Sequence, residues 1–150
     1  MLKEGDPAPK IQLLTEAGEP FDLDGVRGKK VVLFFYPKPS TPGCTVEACE
    51  FRDTFKKFET KGVVVLGISK DSPKAQTRFK ENQGLPFTLL CDEDKRVADA
   101  YGVWKEKNMY GKKVMGIERT TFVIDEQGKI QKIFSKVKPA GHAEEVLAAI

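Results

Sequence analysis

The chain has little of what would make it a membrane, secreted or metal-bound protein. Its longest apolar runs, Val31–Tyr36 and Val63–Leu66, are far too short to cross a bilayer, and Met1-Leu-Lys-Glu-Gly-Asp-Pro carries no apolar signal core, so the expected location is the cytoplasm. Three cysteines are too few for the disulfide framework of a small secreted domain. With a single histidine they also offer no tetrahedral ligand set of recognisable spacing, so neither metal nor other cofactor is expected. The formal charge of +3 is dispersed: Lys29-Lys30, Lys56-Lys57 and Lys112-Lys113 alternate with acids and lack the aromatic–basic array that suits nucleic acid. Internal repeats, low-complexity tracts and linkers are absent as well. What remains is a chain of 150 residues, 40% apolar and 31% charged, read as one domain over residues 1–150 with a single substantial core.

The pattern of elements points to an α/β fold. Lys10–Leu14 and Pro20–Leu23, joined through Ala17-Gly18-Glu19, read as an N-terminal hairpin, and Val31–Tyr36 and Val63–Ser69 as strands buried on both faces. From Thr45 to Thr60, Ala48, Phe51, Phe55 and Phe58 recur at three- and four-residue steps, which predicts an amphipathic helix. Ser72-Pro73 opens a second helix to about Asn82, Phe87–Leu90 is a short strand, and Lys95–Tyr101 a short helix. A polar loop is expected over Lys105–Lys112. Thr120–Asp125 and Lys129–Phe134 then form a hairpin, followed by a helix from about Gly141 to Ile150. This order implies a central mixed sheet with helices on both faces.

The chemistry concentrates at Cys44. Pro42-Gly43 precedes it and a helix follows, so its sulfur meets free backbone N–H groups and the positive end of the helix dipole, which favour a thiolate. Cys49 lies five residues further along the same helix. On an ideal helix that separation is roughly 9 Å between Cα atoms, beyond the roughly 4.4–6.8 Å a disulfide requires. Cys91 ends a strand before Asp92-Glu93-Asp94, an acidic neighbourhood that opposes a thiolate, and is read as structural.

The stretch Pro37-Lys-Pro-Ser-Thr41-Pro-Gly-Cys44-Thr-Val-Glu-Ala-Cys49-Glu-Phe-Arg-Asp53 resembles the peroxiredoxins, specifically their bacterioferritin comigratory protein or peroxiredoxin Q branch. Gly5-Asp-Pro-Ala-Pro9, Tyr101-Gly-Val-Trp104, Glu118-Arg-Thr-Thr-Phe-Val-Ile-Asp125, Val137-Lys-Pro and His142-Ala-Glu-Glu-Val-Leu are similar to that branch in the same order. The resemblance implies a thioredoxin-like fold and reduction of hydrogen peroxide and organic hydroperoxides. It makes Cys44 the peroxidatic cysteine, oxidised to a sulfenic acid, and Cys49 its resolving partner in an intramolecular disulfide. Thr41 and Pro37 then belong to the loop that orients peroxide and thiolate, and Arg119 is the guanidinium that stabilises both the thiolate and the leaving oxygen. It further implies that thioredoxin or a similar dithiol protein is the reductant. Resolution within one helix needs no second subunit, so a monomer is expected. Because folded helix and disulfide exclude one another, the first turns of that helix must unwind in each cycle. The loop departs from the family at Pro39-Ser40, where an Asp-Asn pair is usual.

Other readings compete at particular residues. Thr41 also suits a helix N-cap, Glu47 a first-turn acid that answers the dipole or a group that holds the arginine, and Cys49 a small apolar residue on the helix. A Cys–His nucleophilic pair would need His142 near Cys44. A disulfide oxidoreductase would want Cys-x-x-Cys rather than the four-residue gap between Cys44 and Cys49. A redox-dependent chaperone or sensor would use Phe51 and Phe55, bared by unwinding, as a sticky surface.

Overall fold

Every residue of Val31–Phe35 is buried, and its alternation splits the protein into two cores. Val32, Phe34 and Tyr36 point to one side, and Val31, Leu33 and Phe35 to the other, as the period-two geometry of a strand demands. The computed structural model describes residues 2–150. Among these residues the strands are β1 (Gln12–Thr15), β2 (Pro20–Asp22), β3 (Val31–Phe35), β4 (Val64–Ser69), β5 (Thr88–Cys91), β6 (Trp104–Met109), β7 (Lys112–Ile117), β8 (Thr120–Ile124) and β9 (Ile130–Phe134). The helices are α1 (Pro42–Thr60), α2 (Pro73–Gln83), α3 (Arg96–Ala100) and α4 (His142–Ala148).

Seven strands form one mixed sheet in the order β2-β1-β5-β4-β3-β8-β9. Strands β3, β4 and β5 run parallel and step in one direction across it, so right-handed crossovers carry α1 and α2 over the same face. Ala48, Phe51 and Phe58 of α1, Phe79 of α2, and Ala143 and Val146 of α4 pack there on Val32, Phe34 and Tyr36. Phe34 and Phe51 stack with centroids 4.6 Å apart. The opposite face is covered by Val97 and Ala98 of α3 together with Tyr101, Val103 and Ile117. The expected mixed sheet with helices on both faces is therefore present, with the three longer helices on one side.

Strand β8 decides where the site is built. It pairs antiparallel with β3 so that Thr120 lies opposite Phe35. The residue before β8 is thereby delivered to the end of β3 from which the chain enters α1.

Two expectations are corrected. Helix α1 begins at Pro42 rather than Thr45, because Pro42 needs no N–H at the first helical position. Cys44 is consequently the third residue of the helix. Lys105–Lys112 is no loop: β6 and β7 form a two-stranded ribbon whose turn residues, Tyr110 and Gly111, have φ of 53° and 78°. Both left-handed values mark a type I′ hairpin. The ribbon pairs only with itself, so much of it carries charge and lacks an apolar alternation to read.

Gly67 of β4 marks the tightest point of the α1 face. A Cβ there would lie 2.8 Å from Leu89 Cδ2 and 2.9 Å from Phe34 Cζ. Gly67→Ala is expected to lower the unfolding free energy by about 1–3 kcal/mol, the usual cost of overpacking, as measured by urea denaturation.

Candidate active site

The loop between β3 and α1 aims a thiol at a cation. Thr41 takes the N-cap position with extended backbone, and its carbonyl accepts from Thr45 N at 2.9 Å. The amides of Gly43 and Cys44 have no intrahelical acceptor, as is general for a first turn. The Thr41 hydroxyl does not cap the helix. It donates to the Lys38 carbonyl at 2.8 Å, closing the loop on itself and leaving its oxygen lone pairs free. Pro37 is half-buried at the start of this loop and Pro39 is buried within it, while Ser40 has φ of 64°, a left-handed conformation that asparagine tolerates better than serine.

Cys44 is 1% exposed, yet its sulfur is not surrounded by hydrocarbon alone. Arg119 Nη2 donates to Cys44 Sγ at 3.4 Å, and Arg119 Nη1 donates to Glu47 Oε1 at 2.7 Å. Glu47 sits one turn beyond Cys44 on the same face of α1, so one guanidinium bridges both side chains. Arg119 itself is fixed through its backbone, since its carbonyl accepts from Val137 N at 3.0 Å. Burial works against the guanidinium charge, but Glu47 and Cys44 outweigh it and hold its pKa above the ordinary value.

Glu47 is fully buried, and its Oε2 has no hydrogen-bond partner. Burial raises its pKa from 4.5 to about 7, with Arg119 opposing the shift. Gly43 supplies the clearance above the site, since a Cβ there would stand 3.2 Å from Arg119 Nη2 and 3.5 Å from Pro139 Cγ.

Cys49 is half-buried on α1, its thiol donating to Gln83 Oε1 at 3.4 Å. All three cysteines are free. Cys91 lies under the N-terminal hairpin with Sγ 3.7 Å from the Thr15 carbonyl, and burial, reinforced by Glu93, Glu16 and Asp71, pushes its thiol up to about 12. This environment suits the structural reading. His142 is buried away from the thiol: its Nε2 meets Thr121 Oγ1 at 2.7 Å and its Nδ1 meets Glu145 Oε1 at 3.0 Å, while its ring packs edge-on against Phe51 and Phe134. Among the described residues no Cys–His pair forms.

Lys107 escaped the reading of the sequence. It lies on β6 with its side chain folded beside Gly116, half-buried, and its pKa is lowered by burial and then by Arg119, with Cys44 and Glu118 opposing. The ribbon thus brings a second cation within electrostatic reach of the thiol and the guanidinium. No local pattern of the sequence set it apart from Lys105, which pairs with Glu118 at 2.7 Å.

Fold and site together define a class: proteins with a thioredoxin-like sheet that hold one thiol in the first turn of a helix, against an arginine from a distant strand. Residues 4–133 match the AhpC/TSA family. A putative peroxiredoxin bcp of Coxiella burnetii is 54% identical over 149 residues, 99% of each chain. Peroxiredoxin Bcp of Bacillus subtilis is 45% identical over 149 residues, 99% of this chain and 95% of that one. Among solved structures, bacterioferritin comigratory protein of Xanthomonas campestris superposes with a TM-score of 0.88 at 43% identity, covering 93% of this chain and 88% of that one. Xylella fastidiosa PrxQ gives a TM-score of 0.93 at 38% identity, with 99% and 94% covered. The chain belongs to the AhpC/TSA family of peroxiredoxins, in its Bcp/peroxiredoxin Q branch.

The geometry yields two expectations. Gly43→Ala should push Arg119 off the thiol and slow oxidation of Cys44 by hydrogen peroxide roughly tenfold, read by stopped-flow kinetics, because small displacements of positioned groups are costly. The second concerns pH. Since the Glu47 pKa is raised in the folded state, its contribution to stability is full below about 4.5 and is lost as pH rises through about 7. Across that window the wild type should lose on the order of 2 kcal/mol relative to Glu47→Gln in urea unfolding.

Proposed function

We propose that this enzyme reduces hydrogen peroxide and small organic hydroperoxides with Cys44 as its nucleophile, and that a dithiol protein of the thioredoxin kind restores it. The observation that carries this reading is the contact of Arg119 Nη2 with Cys44 Sγ, made across 75 residues of chain and tethered by Glu47. A half-buried guanidinium favours the anionic sulfur and, as the O–O bond breaks, the charge developing on the leaving oxygen. Thr41 has given its only proton to Lys38, so its oxygen acts as an acceptor for the peroxide O–H and orients it toward the sulfur. Pro37 and the buried Pro39 stiffen the loop that carries Thr41.

The thiolate attacks one peroxide oxygen. The O–O bond breaks, water or an alcohol departs after taking up a proton, and Cys44 becomes a sulfenic acid. Cys49 then attacks the Cys44 sulfur and displaces water to give an intrachain disulfide. Both cysteines belong to the regular helix α1, where their Cα atoms are roughly 9 Å apart, so its first turns must open for this step. The opened segment presents the disulfide to the reductant. One chain supplies both thiols, which supports a monomer; the reading is completed by a single domain over residues 1–150 acting in the cytoplasm. No helix among the described residues is long and apolar enough to cross a membrane. The chaperone reading asks for more than this opening, because Phe51 is fully buried against Phe34 and would require the core to part.

Mass spectrometry after one equivalent of peroxide tests the assignment and should find a Cys44–Cys49 linkage within one chain. Cys44→Ser should abolish turnover. Cys49→Ser should oxidise Cys44 once, stoichiometrically, and then stall with thioredoxin; full thioredoxin-dependent turnover in that variant would refute Cys49 as the resolving thiol.

A further inference from the structure

Gln83, the last residue of α2, holds α1 at two points by two chemically different bonds. Its side-chain Oε1 accepts from Cys49 Sγ at 3.4 Å, while its backbone carbonyl accepts from Arg52 Nη1 at 2.7 Å. The first is a weak, neutral thiol bond; the second is charge-assisted and belongs to a class roughly twice as strong as neutral bonds. Gln83 is itself firmly placed. Phe79 buries α2 in the core, Thr77 Oγ1 donates to the Glu16 carbonyl at 2.6 Å, and Lys80 pairs with Glu16 at 3.2 Å. Between the two contact points on α1, Glu50 Oε1 accepts from Gly141 N at 2.7 Å.

The weaker bond therefore goes to the residue that must move and the stronger to one that must stay. We propose that Gln83 is a positioning residue for resolution: its side chain detains Cys49 in the folded helix, and its carbonyl, through Arg52, marks where unwinding of α1 stops. This rests on the reading that Cys49 resolves Cys44. In the step concerned, the Cys49 S–H bond is lost, the S–S bond forms and the Cys44 S–OH bond breaks, with proton and hydroxide leaving as water. The Cys49 sulfur is oxidised and the Cys44 sulfur reduced, so no further oxidant is required. Detention lengthens the life of the sulfenic acid and thereby sets how much Cys44 proceeds to the sulfinic form when peroxide is in excess.

The test uses the full chain with Gln83→Leu and Gln83→Ala, which lose the side-chain acceptor and keep the carbonyl, and Gln83→Glu, which keeps both. After one equivalent of hydrogen peroxide, timed alkylation and mass spectrometry follow the sulfenic acid and the disulfide separately. Formation of the sulfenic acid should be unchanged in every variant. Disulfide formation should be about threefold faster in Gln83→Leu and Gln83→Ala, as expected for loss of one weak hydrogen bond, and Gln83→Glu, whose carboxylate accepts more strongly, should be no faster than the wild type. Cys49 of the reduced protein should be alkylated faster in the same two variants, and both should give less sulfinic acid in excess peroxide. Unchanged disulfide and alkylation rates in Gln83→Leu and Gln83→Ala, or an equal change in sulfenic acid formation, would overturn the proposal. If the wild type formed no Cys44–Cys49 disulfide, the resolving assignment would fail, whereas the alkylation rates would still decide whether Gln83 detains Cys49.

Discussion

The contact on which the rest of the structure depends is the bridge from Arg119 to Cys44 and Glu47. It joins the first turns of α1 to the residue before β8, so the Cys44 sulfur, the helix that carries it and the end of an inner strand of the sheet are tied at one point. A guanidinium is the suitable group for this place. It stays charged at any physiological pH, its planar fork serves two acceptors at once, and it is less strongly hydrated than an ammonium. Glu47 offsets part of its charge and keeps it in place, at the expense of one buried oxygen left without a partner. The site is thus built from groups that would be unfavourable singly and are tolerated together.

The same bridge creates a conflict. It holds the first turns of α1 closed, whereas a bond between Cys44 and Cys49 would require them to open. The protein separates the two demands along the helix. Residues 42–49 bear both thiols and are anchored by the small side chain of Ala48 and by the polar contacts of Cys44, Glu47 and Cys49, whereas Phe51 and Phe58 fill the core with aromatic rings. A segment with few buried apolar anchors opens at lower free energy than one with many, so local unwinding is compatible with a stable domain. Arg52, bound to the end of α2, stands at the boundary between the two parts.

Much of this was legible before the structure. Continuous apolar strands and three- and four-residue helical periods located α1, α2, β3, β4, β8 and β9 to within a few residues, because each sets apolar residues at regular positions against the core. The β6–β7 ribbon was invisible for the converse reason: pairing only with itself, it shows no apolar period, and its Tyr110-Gly111 turn lacks the Asn-Gly or Asp-Gly signal of such hairpins. With it Lys107 was missed. Thr41 was placed in the right loop, but the partner of its hydroxyl was not foreseen, since the hydroxyl turns to donate to the nearby Lys38 carbonyl rather than to accept from the helix amides.

By itself the sequence determined the local chemistry: Pro42-Gly43-Cys44 opens a helix after a buried strand, Cys49 lies on that helix, and the spacing forbids a disulfide while the helix is intact. These follow from short-range sterics and helical periodicity. Nothing local distinguished one arginine from another, and Arg119 was named by the family resemblance alone; the tertiary structure set it against the sulfur and decided that Glu47 holds it and that Gln83 holds Cys49. Those choices depend on the antiparallel register of β8 against β3 and on the crossover that lays α2 beside α1. Such pairings join residues distant along the chain, and no local pattern encodes them.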